Sequence, residues 1–246
     1  MYGWRSRIGL LLPLDNAVIE PEFASLCPEG TSAFAIRLDT THRPDMPAAG
    51  VRASTGFNEL DVDVVGYACA ETSFLDGEDV NGWLQRGIWE TAGRPAVTAT
   101  TAMATALTAL GVRSIAVAAP YPETSMQALT TYLDARSFDV VSAVARDYST
   151  TSPDPRDWWQ TNREQPAEAY RLARSADHVD AEAVFIAATN LRTVEVIGEL
   201  QRDLGKPVVS SNTAMLWWLL RAGGVHEGIP ALGALADVAL PELVLP

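Results

Sequence analysis

Two stretches decide the fold: Val64-Val65-Gly66-Tyr67-Ala68-Cys69-Ala70-Glu71-Thr72-Ser73-Phe74 and Ala183-Val184-Phe185-Ile186-Ala187-Ala188-Thr189-Asn190. Each is a short apolar run that stops abruptly at small polar residues. That pattern predicts a parallel strand buried on both faces, delivering a loop at its carboxyl end, the edge where open α/β sheets bind ligands. The first loop begins with a thiol, Cys69. The matching position in the second is Ala188, which can neither give nor take a proton.

The duplication extends outward from these runs. Arg7-Ile8-Gly9-Leu10-Leu11-Leu12-Pro13 answers to Arg113-Ser114-Ile115-Ala116-Val117-Ala118-Ala119-Pro120, with one extra residue after the arginine. Arg94-Pro95-Ala96-Val97-Thr98-Ala99-Thr100-Thr101-Ala102-Met103 answers to Lys206-Pro207-Val208-Val209-Ser210-Ser211-Asn212-Thr213-Ala214-Met215. Strand-like runs at residues 8–12, 33–38, 62–68, 95–98, 114–119, 139–145, 183–187 and 207–210 alternate with longer helical patterns. Those helices are expected at residues 20–26, 51–60, 80–91, 101–110, 124–135, 166–176, 193–204 and 213–222. Such alternation is the mark of parallel α/β architecture. The expected fold is therefore α/β, with two pseudo-symmetric parallel-sheet (flavodoxin-like) lobes, residues 1–111 and 112–224, and a tail, 225–246. The site is expected in the cleft between the lobes, where the Cys69 and Ala188 loops face each other. A turn-rich stretch at 148–157 reads as a lid over that cleft or as a surface connection. The Gly- and Pro-punctuated tail is expected to pack along the surface or on a neighbouring subunit of a homo-oligomer.

Composition narrows the function classes. With 31 acidic against 18 basic residues the net charge is −13, which argues against a nucleic-acid partner, because a phosphate-binding surface needs a basic excess. An anionic substrate remains compatible, since a buried site can hold a carboxylate on backbone N–H groups and helix N-termini. No run approaches the length of a membrane span, so no membrane partner and a cytoplasmic location are expected. Cys27 and Cys69 are the two cysteines, and His42, His178 and His226 are scattered. That gives neither a disulfide framework nor metal-ligand spacing.

Each candidate residue has a plain structural alternative. Cys27, before Pro28, fits the habit of free cysteine as a small hydrophobe. Cys69 fits it less well, because Ala70-Glu71-Thr72-Ser73 abandons the apolar pattern at once and strand-end loops with backbone donors stabilise thiolates. Asn16 and Asn212 stand where N-caps are preferred. Tyr121 either covers the cleft or offers its hydroxyl to a ligand. Arg192 is expected in a salt bridge to a neighbouring helix, and Trp217-Trp218 in the core or at a subunit interface.

Cys69 with Ser73-Phe74 is similar to the C-T-x-G-S-F loop of maleate cis-trans isomerases, and Ala188-Thr189-Asn190-Leu191-Arg192-Thr193 resembles their second loop, C-T-N-L-R-T, without its cysteine. Pro13 to Glu22 resembles the P-S-S-N-x-x-x-E-x-E segment after the first strand. Pro120-Tyr121 matches a P-Y pair that places an active-site tyrosine, and Ser210-Ser211-Asn212 matches the S-S-N before the last helix. The resemblance runs to about Gly224 and extends to the arylmalonate decarboxylase and ectoine-utilisation (EutA) branches of the Asp/Glu racemase superfamily. It implies a cofactor-independent enzyme that holds a small carboxylate or dicarboxylate between two loops. In its isomerases the first-loop thiolate adds to the double bond, rotation follows, and elimination gives fumarate. On this pattern the catalytic positions are Cys69 and Ala188, the latter being the position of the missing second cysteine. The carboxylate-binding candidates are Asn16, Tyr121, Ala70, Glu71, Ser73, Thr189 and Asn190.

The departure at Ala188 has consequences. A two-base racemase fails without a second proton carrier, and Thr189 is a poor substitute because an alcohol is a weak acid. An isomerase working through Cys69 survives in impaired form. Arylmalonate decarboxylases keep a single cysteine, but the second one. The alanine stands in an otherwise unchanged context, which favours a deliberate Cys→Ala exchange, with a natural single-cysteine branch as the alternative. The readings left open are therefore an impaired maleate-type isomerase, a racemase, decarboxylase or EutA-like enzyme, and a silent carboxylate-binding protein.

Overall fold

A computed structural model describes residues 2–148 and 158–242. β1 (Ser6–Leu12), β2 (Thr31–Arg37), β3 (Val64–Tyr67) and β4 (Ala96–Thr98) form one parallel sheet in the order β2-β1-β3-β4. β5 (Ser114–Ala119), β6 (Asp139–Ala145), β7 (Ala183–Ile186) and β8 (Val208–Ser210) form a second in the equivalent order β6-β5-β7-β8. The register carries the repeat residue by residue: Ile8 pairs with Val64 as Ile115 pairs with Ala183, and Val65 with Ala96 as Val184 with Val208. Counted forward from these pairs, Cys69 and Ala188 occupy the same place.

Strand periodicity sorts the side chains of the first sheet onto two apolar layers. Ile8, Leu10, Leu12 and Val64 face the central core, whereas Leu11, Val65 and Tyr67 face an outer layer with Phe57, Leu84 and Ile88. That outer layer comes from α2 (Met46–Ala53), α3 (Phe57–Leu60) and α5 (Gly77–Ala92).

The central core is shared by both lobes. α6 (Ala99–Ala109) and α11 (Ser211–Ala222) start directly after β4 and β8 and pack against each other between the sheets. Their N-caps are register-equivalent. Thr98 accepts from the Thr101 N–H, and Ser210 closes a reciprocal capping box with Thr213, each satisfying N–H groups that a buried helix end cannot leave bare. Every α11 residue from Ser211 to Arg221 is buried, as expected of a helix apolar on nearly all sides. It lies so close to β3 that a Cβ on Gly66 would sit 2.9 Å from Leu219 Cδ1 and 3.3 Å from Met215 Sδ. Trp217 Nε1 donates to the Val238 carbonyl at 2.8 Å, and Arg221 donates to the Val225 and Ala236 carbonyls. The tail therefore packs on its own chain, and Trp217-Trp218 belongs to the core.

The remaining helices are α1 (Ile19–Leu26), α4 (Glu71–Phe74), α7 (Glu123–Ala135), α8 (Trp158–Arg163), α9 (Pro166–Ala176) and α10 (Val194–Leu204). Three differ from the sequence expectation. The helix expected over 51–60 is two, α2 beginning early with Pro47 in its first turn, then a 3-10 turn Ser54–Gly56, then α3 closed by Asp61 at φ 47°. α4 and α8 are too short for their periodicity to register. The stretch proposed as a lid lies outside the described residues except for Tyr148. Among the described residues no helix is long and apolar enough to cross a membrane.

Gly66→Ala is expected to cost roughly 1–3 kcal/mol, because the added methyl meets packed side chains on both α11 neighbours. A thermal melt should show Tm lowered by several degrees. An unchanged Tm would show that α11 is not held this tightly to β3.

Candidate functional site

In both sheets the first strand has neighbours reached in opposite chain directions, so each lobe has a topological switch point, and there the loops at the strand carboxyl ends leave a crevice. The two crevices face one cavity of about 110 Å³, which suits a small organic acid better than the larger sites of drug-sized ligands. Pro13, Asp15 and Asn16 follow β1; Cys69, Ala70, Glu71 and Thr72 follow β3. Pro120, Tyr121 and Pro122 follow β5; Thr189 and Asn190 follow β7. Thr41, Arg43 and Met46 after β2, with Tyr148 and Thr161, complete the wall.

Cys69 is half-buried at this wall, while Cys27 packs at the edge of the core away from it. Burial pushes the Cys69 thiol up to about 11, against the lowering effect of hydrogen bonds from the Thr72 hydroxyl and backbone N–H; the nearby Glu71 and Asp15 charges push it further up. The strand-end donors expected to favour a thiolate are therefore present and outweighed. With its value raised to about 11, Cys69 is a thiol at neutral pH. Burial also raises the Cys27 thiol.

The second loop is tied to the first lobe by a buried polar clasp. Thr189 Oγ1 donates to the Ala68 carbonyl at 2.8 Å and accepts from Asn16 Nδ2 at 3.1 Å. Its proton is thus committed away from the cavity. Asn16 Oδ1 accepts from the Val18 and Ile19 N–H groups, so Asn16 both opens α1 and bridges the lobes. Glu22, on α1, reaches across to accept from the Thr193 and Val194 N–H groups at 2.8 and 3.2 Å and from Asn212 Nδ2 at 2.6 Å. A carboxylate there meets the positive end of α10, yet burial still lifts Glu22 to about 7. Asn212 also donates to the Thr189 carbonyl. It is not the cap of α11, as its position suggests in sequence, because Ser210 fills that role.

Other candidates are placed differently from expectation. Ala188 is buried, carries φ 87° and does not line the cavity. An L-residue rarely adopts that backbone, and such strain collects at functional loops. Ser73 is also away from the cavity: its hydroxyl bonds to the Ala70 carbonyl and to Thr100, shaping the Cys69 loop from behind. Arg192 pairs with Glu195 in the adjoining turn of α10 rather than with a neighbouring helix. Tyr121 stacks at a tilt on Phe74, 5.8 Å between centroids, and its hydroxyl meets no hydrogen-bond partner among the described residues. Burial raises it well above the ordinary phenol value, which keeps it a donor. Glu71 accepts from Ser125 Oγ at 2.6 Å and pairs with Arg43 at 2.9 Å. Arg43 lies in a segment without a motif, and Asp15 and Thr72 lie inside matched motifs at positions where this sequence departs from the pattern, so the sequence reading singles out none of the three. Among the described residues no cluster of His, Cys, Asp or Glu is placed to hold a metal.

Two outcomes follow. At pH 7 only about one Cys69 in ten thousand is ionised on a pKa near 11, so alkylation by iodoacetamide should be slow and rise about tenfold per pH unit towards pH 10. Peptide mapping with mass spectrometry reads this, and a rate already maximal at pH 7 would contradict a neutral thiol. The Glu22 carboxyl is raised in the folded state relative to its ordinary value of 4.5. The native form therefore binds that proton more tightly, and the resulting stabilisation is full below about 4.5 and lost as pH rises through about 7. Melts between pH 5 and 8 should show this slope, flattened in Glu22→Gln.

The sequence profile of the arylmalonate decarboxylase family matches residues 8–236. The arylmalonate decarboxylase of Bordetella bronchiseptica is 27% identical over 92% of both chains. A maleate isomerase from Geobacillus stearothermophilus is 23% identical over 93% of this chain and 96% of its own. A crystal structure of the maleate isomerase Iso from Pseudomonas putida S16, a cysteine-to-alanine variant with maleate, superposes with a TM-score of 0.84 at 22% identity, covering 95% of this chain and 98% of that one. With its profile matched across both sheets and both loops, the chain belongs to the arylmalonate decarboxylase family, in the branch of the Asp/Glu racemase superfamily that includes the maleate isomerases.

Proposed function

We propose that this protein is a cofactor-independent enzyme that isomerises a small cis-dicarboxylate of the maleate type, with Cys69 as nucleophile. The observation that carries this reading is a single thiol in the cavity at the paired switch points, with alanine at the register-equivalent position. Sγ bonds to one carbon of the double bond, and the π electrons move to the other carbon, delocalised into its carboxylate. The bond between them is now single and rotates. The electron pair then returns, expels the thiolate and leaves the trans product. The route needs one thiol, and the carbanion is never obliged to take a proton. Two-base racemisation needs a carrier on each side, and Ala188 with a committed Thr189 hydroxyl supplies none. Before attack Cys69 must lose its proton, for which Asp15, a cavity-lining carboxylate with no ion pair among the described residues, is the acceptor. Tyr121 and the loop N–H groups stabilise the developing charge.

A decarboxylase is the second reading, favoured by the neutral state of Cys69. Loss of CO₂ from a malonate leaves its bonding electrons on the α-carbon as an enediolate, and a protonated thiol on one face is the acid that quenches it.

Incubation with maleate and with phenylmalonate, followed by proton NMR, separates them. Fumarate is expected from maleate and should vanish in Cys69→Ser. Phenylacetate from phenylmalonate, with maleate untouched, would transfer the protein to the decarboxylases. No product from either would leave carboxylate binding as its activity.

A further inference from the structure

We infer that Arg43 holds the second carboxylate of the substrate, and that Glu71 and Ser125 orient it for that purpose; this rests on the dicarboxylate reading above. Arg43 opens the 3-10 turn Arg43–Asp45 after β2, and it is the one cationic side chain among the described residues of the cavity wall. Its Nε lies 2.9 Å from Glu71 Oε2, and Ser125 Oγ donates to the other oxygen, Oε1, at 2.6 Å. Glu71 is thus fixed from both sides, from its own lobe and from α7 of the other, and its side chain is only 11% exposed against 44% for Arg43. The guanidinium bears five donors in a rigid fork. Nε stands beside Glu71 as an ion pair, and no nitrogen of the guanidinium donates a hydrogen bond among the described residues. Their charge is felt at Asp15 and Tyr121, on the opposite loops of the same cavity. A planar fork with free donors at the wall of a cavity is what a carboxylate takes up bidentately.

The site thereby divides the work. The carboxylate next to the forming carbanion belongs near Tyr121 and the loop N–H groups, while the other belongs to Arg43. A ligand with one carboxylate gains nothing from the second contact, so Arg43 selects dicarboxylates over monocarboxylates. Glu71, in the loop of Cys69, then acts as a positioning residue rather than as a ligand of the substrate.

Isothermal titration calorimetry on the full chain in a Cys69→Ser background, which prevents turnover, tests this with maleate and with isocrotonate, which has a methyl group in place of one carboxylate. Arg43→Gln should weaken maleate binding about 10- to 100-fold, the effect of losing a charge-assisted pair, and leave isocrotonate nearly unchanged. The double variant Arg43→Gln with Glu71→Gln should keep that loss. Recovery in the double variant would mean that Arg43 merely neutralises Glu71, and would overturn the inference. Equal loss of both acids, no loss of either, or no maleate binding by the Arg43 parent would overturn it too. Maleate binding that obeys this pattern in a protein that forms no fumarate would sink the isomerase reading alone.

Discussion

The packing of α6 against α11 between the two sheets is the constraint on which the rest of the molecule depends. Each helix starts where the last strand of its own sheet ends, and each buries its side chains against elements of both halves. One apolar cluster consequently runs from Ile8 and Leu10 through Met103, Leu107, Met215 and Leu219 to Val117 and Val184. Interiors are packed as densely as organic crystals, so two sheets joined in this way have little freedom to slide. Gly66 permits the contact by having no side chain to place there. Because the sheets are fixed, the carboxyl ends of β1, β3, β5 and β7 converge on one small volume.

A converged cavity brings polar groups into the interior, where each must find a partner. The clasp of Asn16, Glu22, Thr189, Thr193 and Asn212 meets that demand across the lobe boundary. It also breaks the symmetry of the two halves. The first loop presents Cys69 to the cavity, while the second is pulled towards α1 and the Ala68 carbonyl, with Ala188 buried at φ 87° and Thr189 and Asn190 at the wall. The repeat is thus faithful in the strands and lost in the loops.

Electrostatics follows the same division between surface and interior. The chain carries a net charge of −13, and the exterior offers little to an anion. Inside, burial keeps Cys69 protonated and raises Asp15, Glu22 and Tyr121 towards their neutral forms.

The sequence by itself determined the class of fold and the place of the site. Apolar runs ending in small polar residues are local signals, and a parallel strand buried on both faces reads as such a near-continuous run. The eight strands therefore fall within a few residues of their expected positions, β5 and β6 at the expected bounds. Duplication of those runs set the Cys69 and Ala188 loops opposite each other, the resemblance to maleate isomerases added Asn16, Tyr121, Thr189 and Asn190, and Cys69 with these four lines the cavity. Only the tertiary structure decided what each of them does. The state of Cys69 depends on burial, the proton of Thr189 on a carbonyl far away in sequence, and the cap of α11 on which of three polar residues turns back to the backbone. Arg43 carried no signal, and Asp15 and Glu22 stood in a matched segment without a legible role, because these roles come from partners brought together by packing, and no periodicity or spacing within one segment records a contact made between two.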